Sequence, residues 1–257
     1  MTKRFFIGIA LVSICIHTIA QTELFRKKEF IYNGDTLRYR ILEPDASLRN
    51  KKFPLVIFLH GSGECGSNNE SQLAHGANLF ANPTNRTNYP AFVIFPQCPK
   101  SDSWVRIKDL TDDKFDLIDS LKPTKALFLV QKLTELYQRN DSIDSKRVYI
   151  GGLSLGGMGT LDLICRYPKT YAAAVSICGA VNTDRLKVAV DIPLRLYTGT
   201  DDDVVDPQHS RAAAYKLKAF GAKNIEIVEF PGVKHNSWDT AFAQPDFMSW
   251  LFSQSNK

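Results

Sequence analysis

The sequence predicts an α/β protein: one mostly parallel central sheet with helices on both faces and an antiparallel hairpin at its N-terminal side. Three observations carry that expectation. Short continuous apolar runs recur at residues 55–59, 91–95, 148–150, 172–175, 194–197 and 225–228, and most lack alternation, as strands buried on both faces do. Patterns with apolar residues at helical spacing lie between them, which is the order of a parallel sheet covered by helices. Ahead of these, residues 29–41 alternate around Asn33-Gly34, a strong two-residue hairpin signal.

The elements follow in order. Lys3-Arg4, an apolar run over residues 5–16 and the small residues of Thr18-Ile19-Ala20 read as an export signal over residues 1–20. The run is short for a transmembrane span, which takes about 20 apolar residues. A retained anchor is the weaker reading. Lipoprotein cleavage before Cys15 is disfavoured by bulky Ile14. The expected mature chain starts at Gln21, is secreted or periplasmic and has no stable membrane insertion. After the hairpin come helices expected over 123–137, with Pro123 in the first turn and Leu127, Val130, Leu133 and Leu136 on one face, and over 155–167, 210–220 and 239–252. No repeat, linker or break in composition divides residues 21–257, so one domain is expected there.

The chain has 257 residues, 44% of them hydrophobic, enough for a sizeable core and against wholesale disorder. Its formal charge is +5, and removing Lys3 and Arg4 leaves 30 basic against 27 acidic residues, or +3. That charge is too small and scattered to suggest nucleic acid as a partner. Five cysteines do not make a disulfide scaffold.

Gly152-Leu153-Ser154-Leu155-Gly156 is a Gly-x-Ser-x-Gly pentapeptide. Alone it is a weak signal that a capping serine in a glycine-rich helix start could also give. Its context is the informative part, because an expected strand ends at it and an expected helix begins. A sharp turn there strains the middle residue, needs glycines at the crowded flanks and lifts the serine hydroxyl over the carboxyl edge of the sheet. A nucleophilic serine needs a base. Of five histidines, His17 leaves with the signal, His60 ends a buried strand, and His75 lies in a polar loop before the serine. His209 opens a helix too close to the candidate acids. His235 follows the last strand, on a loop at the same sheet edge as Ser154, and is the expected base. The supporting acid is one of four carboxylates after the strand at 194–197: Asp201, Asp202, Asp203 and Asp206. Composition alone leaves that choice open.

These motifs resemble the α/β-hydrolase superfamily, and within it small secreted esterases of the phospholipase/carboxylesterase and dienelactone-hydrolase-like type, some catalogued as peptidases or feruloyl-esterase relatives. The resemblance covers most of residues 53–254. It rests on His60-Gly61-Ser62-Gly63-Glu64-Cys65-Gly66, on Pro96-Gln97-Cys98-Pro99 with Trp104, on the serine turn extended by Gly157, Gly159 and Thr160, and on Gly232, His235 and Trp238. The family's acid loop reads Gly-x-x-Asp-x-x-Val-Pro. Gly199, Asp202 and Val205 match it, with Asp206 where proline is usual and Pro207 one place late. The resemblance therefore implies Asp202 as the acid, with Asp201 and Asp203 as fallbacks. It also implies an oxyanion hole from the backbone N–H groups of Leu155 and Ser62. Cys65 is a departure, since arginine is frequent there.

The implied activity is hydrolysis of carboxylic esters through an acyl-enzyme, with a small-molecule or carbohydrate-linked ester as substrate. A serine peptidase of prolyl-oligopeptidase type is the runner-up. Such enzymes usually carry an N-terminal propeller, whereas about 30 residues precede the core of this sequence, a reading that favours esters. A catalytically inactive binding module is the alternative from another class. Trp104 and Trp238 are candidate substrate-lining residues with an equally available structural role. No cofactor or metal is expected, since no P-loop, dinucleotide fingerprint or ligand-spaced His/Cys/Asp cluster occurs. Cys65 and Cys98 fall in loops after neighbouring strands, where a disulfide and two free thiols are both open. Cys165 reads as a packing residue, and Cys178 ends a strand before Gly179.

Overall fold

A computed structural model describes residues 22–48, 51–107 and 122–256. The expected export signal lies outside them. The hairpin forms from β1 (Arg26–Tyr32) and β2 (Asp35–Leu42). Its two-residue turn takes positive φ at both positions, 52° at Asn33 and 85° at Gly34, which is why an Asn-Gly pair serves there. The remaining strands are β3 (Phe53–Leu59), β4 (Phe92–Gln97), β5 (Ile143–Leu153), β6 (Ala173–Ile177), β7 (Leu194–Gly199) and β8 (Ile225–Phe230). They form one sheet in the order β1-β2-β4-β3-β5-β6-β7-β8. The β1–β2 and β2–β4 pairs are antiparallel, and every pair from β4 to β8 is parallel.

Successive side chains of a strand point to opposite faces, and the core divides accordingly. Leu55, Ile57 and Leu59 of β3, with Val148 and Ile150 of β5, enter one apolar cluster; Val56, Phe58 and Tyr149 enter the other. The first cluster is closed by helices Lys125–Gln138, Leu155–Arg166 and Gln208–Ala219, and the second by Ala77–Ala81, Ser237–Phe242 and Phe247–Phe252. In chain order these and Pro83–Asn88 are α1 (Ala77–Ala81), α2 (Pro83–Asn88), α3 (Lys125–Gln138), α4 (Leu155–Arg166), α5 (Gln208–Ala219), α6 (Ser237–Phe242) and α7 (Phe247–Phe252). Among the described residues no helix is long and apolar enough to cross a membrane.

Three departures from expectation have physical reasons. The helix expected over 239–252 is two helices, because Pro245 lies between α6 and α7, and proline lacks the amide that an unbroken helix needs. Helix α3 starts later than Pro123, with Thr124 as its N-cap accepting the Leu127 N–H. Strand β5 begins at Ile143 rather than Val148, because the buried Ile143 pairs with Phe53 ahead of a register shift and ties the polar stretch before the apolar run to β3.

Candidate active site

Strand β5 runs into α4 with a single residue between them, Ser154, at φ 52° and ψ −120°. Two glycines make that turn sterically possible. A Cβ on Gly152 would stand 2.3 Å from the Gly156 carbonyl oxygen, and one on Gly156 would stand 2.1 Å from the carbonyl oxygen of Leu59 in β3. The Ser154 amide donates to the Ile177 carbonyl at the end of β6 (2.8 Å), so the strained residue is tied to the sheet on its other side. The hydroxyl thus sits at the N-terminus of α4, at the carboxyl edge of the sheet.

His235 comes from the loop between β8 and α6. Its Nε2 is 3.0 Å from Ser154 Oγ, and its Nδ1 is 2.9 and 3.0 Å from the two carboxylate oxygens of Asp202. A carboxylate only accepts, so Nδ1 carries the proton and Nε2 is left to accept from the serine. Asp202 is held from behind, since its Oδ1 also accepts the N–H groups of Val204 and Val205, each at 2.9 Å. Its side chain is fully buried. The other three acids point elsewhere. Asp201 accepts from the Thr200 hydroxyl, Asp203 pairs with Lys234 at the surface, and Asp206 accepts the Gln208 N–H.

The loop after β3 passes directly beside the serine. A Cβ on Gly61 would lie 3.6 Å from Ser154 Cβ. Ser62 opens the short 3-10 turn Ser62–Glu64 that follows, and Leu155 is the first residue of α4, where a helix leaves its amides without internal partners. Both backbone N–H groups assigned to an oxyanion hole are thus carried on elements flanking Ser154.

The neighbouring side chains act as a brace. The buried His60 donates from Nδ1 to the Gly61 carbonyl (2.6 Å) and accepts the Cys98 N–H at Nε2 (2.9 Å). Burial lowers its pKa to about 4, so it is neutral. Trp104 is wholly buried, with its indole N–H on the His60 carbonyl (3.0 Å). That position corrects the expectation that it lines a substrate site: it holds the loop from inside the core. Trp238 does stand at the site, edge-on to His235 with ring centroids 5.5 Å apart, and also against His75. Sequence reasoning gave His60 only a turn role and missed Gln97 as a brace, although Gln97 Nε2 donates to the Glu64 carbonyl (3.1 Å).

Folding also assembles a cluster that spacing hid. Cys178, Asp202 and His235 present ligand atoms within 4.8 Å of one another. Burial pushes the Cys178 thiol up to about 12, and the other two residues already bond each other. A metal there would have to deprotonate the first and separate the others. Cys65 and Cys98 are both present as thiols.

A serine on a strained strand-to-helix turn, bonded to a histidine after the last strand of a sheet in this order, defines the α/β-hydrolase class. Residues 46–246 match the Phospholipase/Carboxylesterase family, and the chain belongs to it. Its class of chemistry is carboxylic ester hydrolysis. Similar proteins include an acyl-protein thioesterase 1 homolog of Dictyostelium discoideum, 26% identical over 194 residues that span 71% of this chain and 85% of the relative. A probable carboxylesterase of Oryza sativa subsp. japonica is 28% identical over 74% of each chain. Among solved structures, a thermostable esterase superposes with a TM-score of 0.83 at 31% identity over 92% of this chain, which spans 64% of that longer chain. The ferulic acid esterase of Anaeromyces mucronatus, at 17% identity and a TM-score of 0.63 over 89% of this chain and 88% of its own, shares the fold.

Proposed function

We propose that the chain hydrolyses carboxylic esters with Ser154 as nucleophile, His235 as general base and Asp202 as its support. The observation that carries this reading is the continuous line of contacts from Asp202 through His235 to Ser154 Oγ, with His235 Nε2 3.0 Å from the hydroxyl. As the hydroxyl oxygen attacks the acyl carbon, its proton passes to Nε2. The Asp202 carboxylate holds the tautomer and stabilises the imidazolium that forms. The developing oxyanion is received by the backbone N–H groups of Leu155 and Ser62, each donor being worth ~3–4 kcal/mol in the transition state. His235 then protonates the leaving alcohol. Water, deprotonated by the same imidazole, releases the acid from the acyl-enzyme and restores Ser154.

The proposed substrates are small-molecule esters, including esters on a carbohydrate, for which Trp238 beside His235 offers an aromatic wall. Export is proposed as well, on the basic start, apolar run and small residues of the first 20 positions; the expected mass is that of a chain beginning at Gln21. A fluorophosphonate probe tests the activity reading. One adduct on Ser154, formed more slowly while an aryl acetate is present in excess, is the expected result. Labelling elsewhere, or none in a protein that hydrolyses esters, removes Ser154 as nucleophile.

A further inference from the structure

The oxyanion-side turn ends in a cysteine that touches a second one. Cys65 directly follows the turn Ser62–Glu64, and its thiol is within hydrogen-bonding distance of the Cys98 thiol. Cys98 is fully buried and Cys65 partly accessible. Their loops are also joined through the backbone. Gly66 N–H donates to the Cys98 carbonyl (2.8 Å), and Cys98 N–H donates to His60 (2.9 Å). Residues 60–66, which carry Ser62, are therefore anchored at both ends on residue 98.

The two sulfurs are chemically unequal. The Cys98 hydrogen bond stabilises a thiolate on Cys65 and lowers its pKa, whereas that same shared proton and burial push the Cys98 thiol up. A partly accessible thiol with a lowered pKa beside a buried resolving thiol is the arrangement that disulfide exchange uses.

We propose that Cys65 and Cys98 are an oxidative modification site, converted to a disulfide by exchange with an external disulfide, and that this bond fixes the turn bearing Ser62. The Cys65 thiolate attacks one sulfur of the oxidant, forming a mixed disulfide and expelling one oxidant thiolate. Cys98 gives its proton to the expelled oxidant thiolate and attacks the Cys65 sulfur. The Cys65–Cys98 bond forms and the second oxidant thiolate leaves. Two protein thiols are oxidised, and one external disulfide is reduced to two thiols. The bond closes the chain from residue 65 to residue 98, which restricts the unfolded state. It also pins an oxyanion donor before reaction, the condition under which such a donor acts without reorganisation. The effect on turnover rests on the oxyanion role proposed for Ser62; the bond itself does not.

The test treats the purified full chain with oxidised glutathione or with dithiothreitol, alkylates free thiols and maps the peptides. It also measures turnover of 4-nitrophenyl acetate and the thermal midpoint of each form. The expected result is a Cys65–Cys98 cross-linked peptide, a midpoint several degrees higher, and a kcat severalfold higher with little change in KM. Cys65→Ser is expected to give no cross-link and one kcat under both conditions, while Cys165→Ser keeps the response. The comparison of oxidised with reduced wild type stands even where a variant does not fold. Absence of the cross-link, or glutathione retained on Cys65, overturns the proposal. A cross-link with unchanged kcat overturns its link to catalysis. An enzyme inactive in both states but cross-linked overturns the ester-hydrolase reading and leaves the bond standing.

Discussion

Gly199 lies so close beneath Val233 that a Cβ on the glycine would stand 2.1 Å from the Val233 carbonyl oxygen. Gly199 ends β7, three residues before Asp202, and Val233 lies two residues before His235. The same approach brings Asp201 N–H onto that carbonyl at 3.0 Å. The spacing between acid and imidazole is thus set by backbone packing behind them. Gly199→Ala is expected to push the histidine loop outward and lower kcat by orders of magnitude. Hydrolysis of an aryl acetate and fluorophosphonate labelling should fall together. Near wild-type turnover in a folded Gly199→Ala protein rejects this account of the spacing.

Asp202→Asn is expected to reduce turnover far more than Asp201→Asn or Asp203→Asn. Asparagine keeps the shape, removes the charge that supports the imidazolium and can favour the wrong tautomer; in a related triad that exchange costs ~10⁴ in kcat. Asp203 pairs with Lys234 where both side chains are more than half exposed, so its loss should act only through weak, salt-screened electrostatics. Turnover of the three single variants decides the matter, and a large loss at Asp201 or Asp203 with Asp202→Asn near wild type moves the acid.

Ser154→Gly and Ser154→Ala should both abolish hydrolysis yet differ in stability. At φ 52° and ψ −120° a side chain costs about 1–3 kcal/mol, and glycine relieves that strain. Glycine also frees the unfolded chain, which offsets up to about 1 kcal/mol. The expected order in urea is therefore Gly above Ala, by about 1 kcal/mol. An alanine variant at least as stable as the glycine variant means that the turn stores no strain.

Parts of this site were legible because their cause is local. The glycines of the serine turn are needed within five residues of each other, and His235 stood out because other histidines were excluded by position. The acid was not local. Asp202 is distinguished from its neighbours by the amides of Val204 and Val205 and by a histidine 33 residues away. The brace of His60, Gln97 and Trp104 was hidden for the same reason, since its bonds join loops after different strands. Strand β5 was read short because apolar runs mark burial, whereas its start is held by the single pair of Ile143 with Phe53. The break at Pro245 was readable, and helical periodicity on both sides masked it.

The stability of the wild type should fall in mild acid through His60. His60 is buried, and its Nε2 accepts the Cys98 N–H. Protonation would place a second hydrogen against that donor and leave a charge out of water. Burial is the larger influence and lowers the pKa from 6.5 to about 4, while the bond to the Gly61 carbonyl acts weakly the other way. The folded value lies below the unfolded one, so the unfolded state takes up the proton first as pH falls. The contribution is complete above about pH 6.5 and is lost progressively down to about pH 4. The loss by pH 4 amounts to about 3 kcal/mol. Urea unfolding at pH 7, 6, 5 and 4, for wild type and His60→Gln, isolates this group because the carboxylates titrate in both. The variant should start lower at pH 7, having a less well fitted brace, and should lose about 3 kcal/mol less between pH 7 and 4. Parallel losses in the two proteins would show that His60 is protonated without penalty, and that the brace does not depend on a neutral ring.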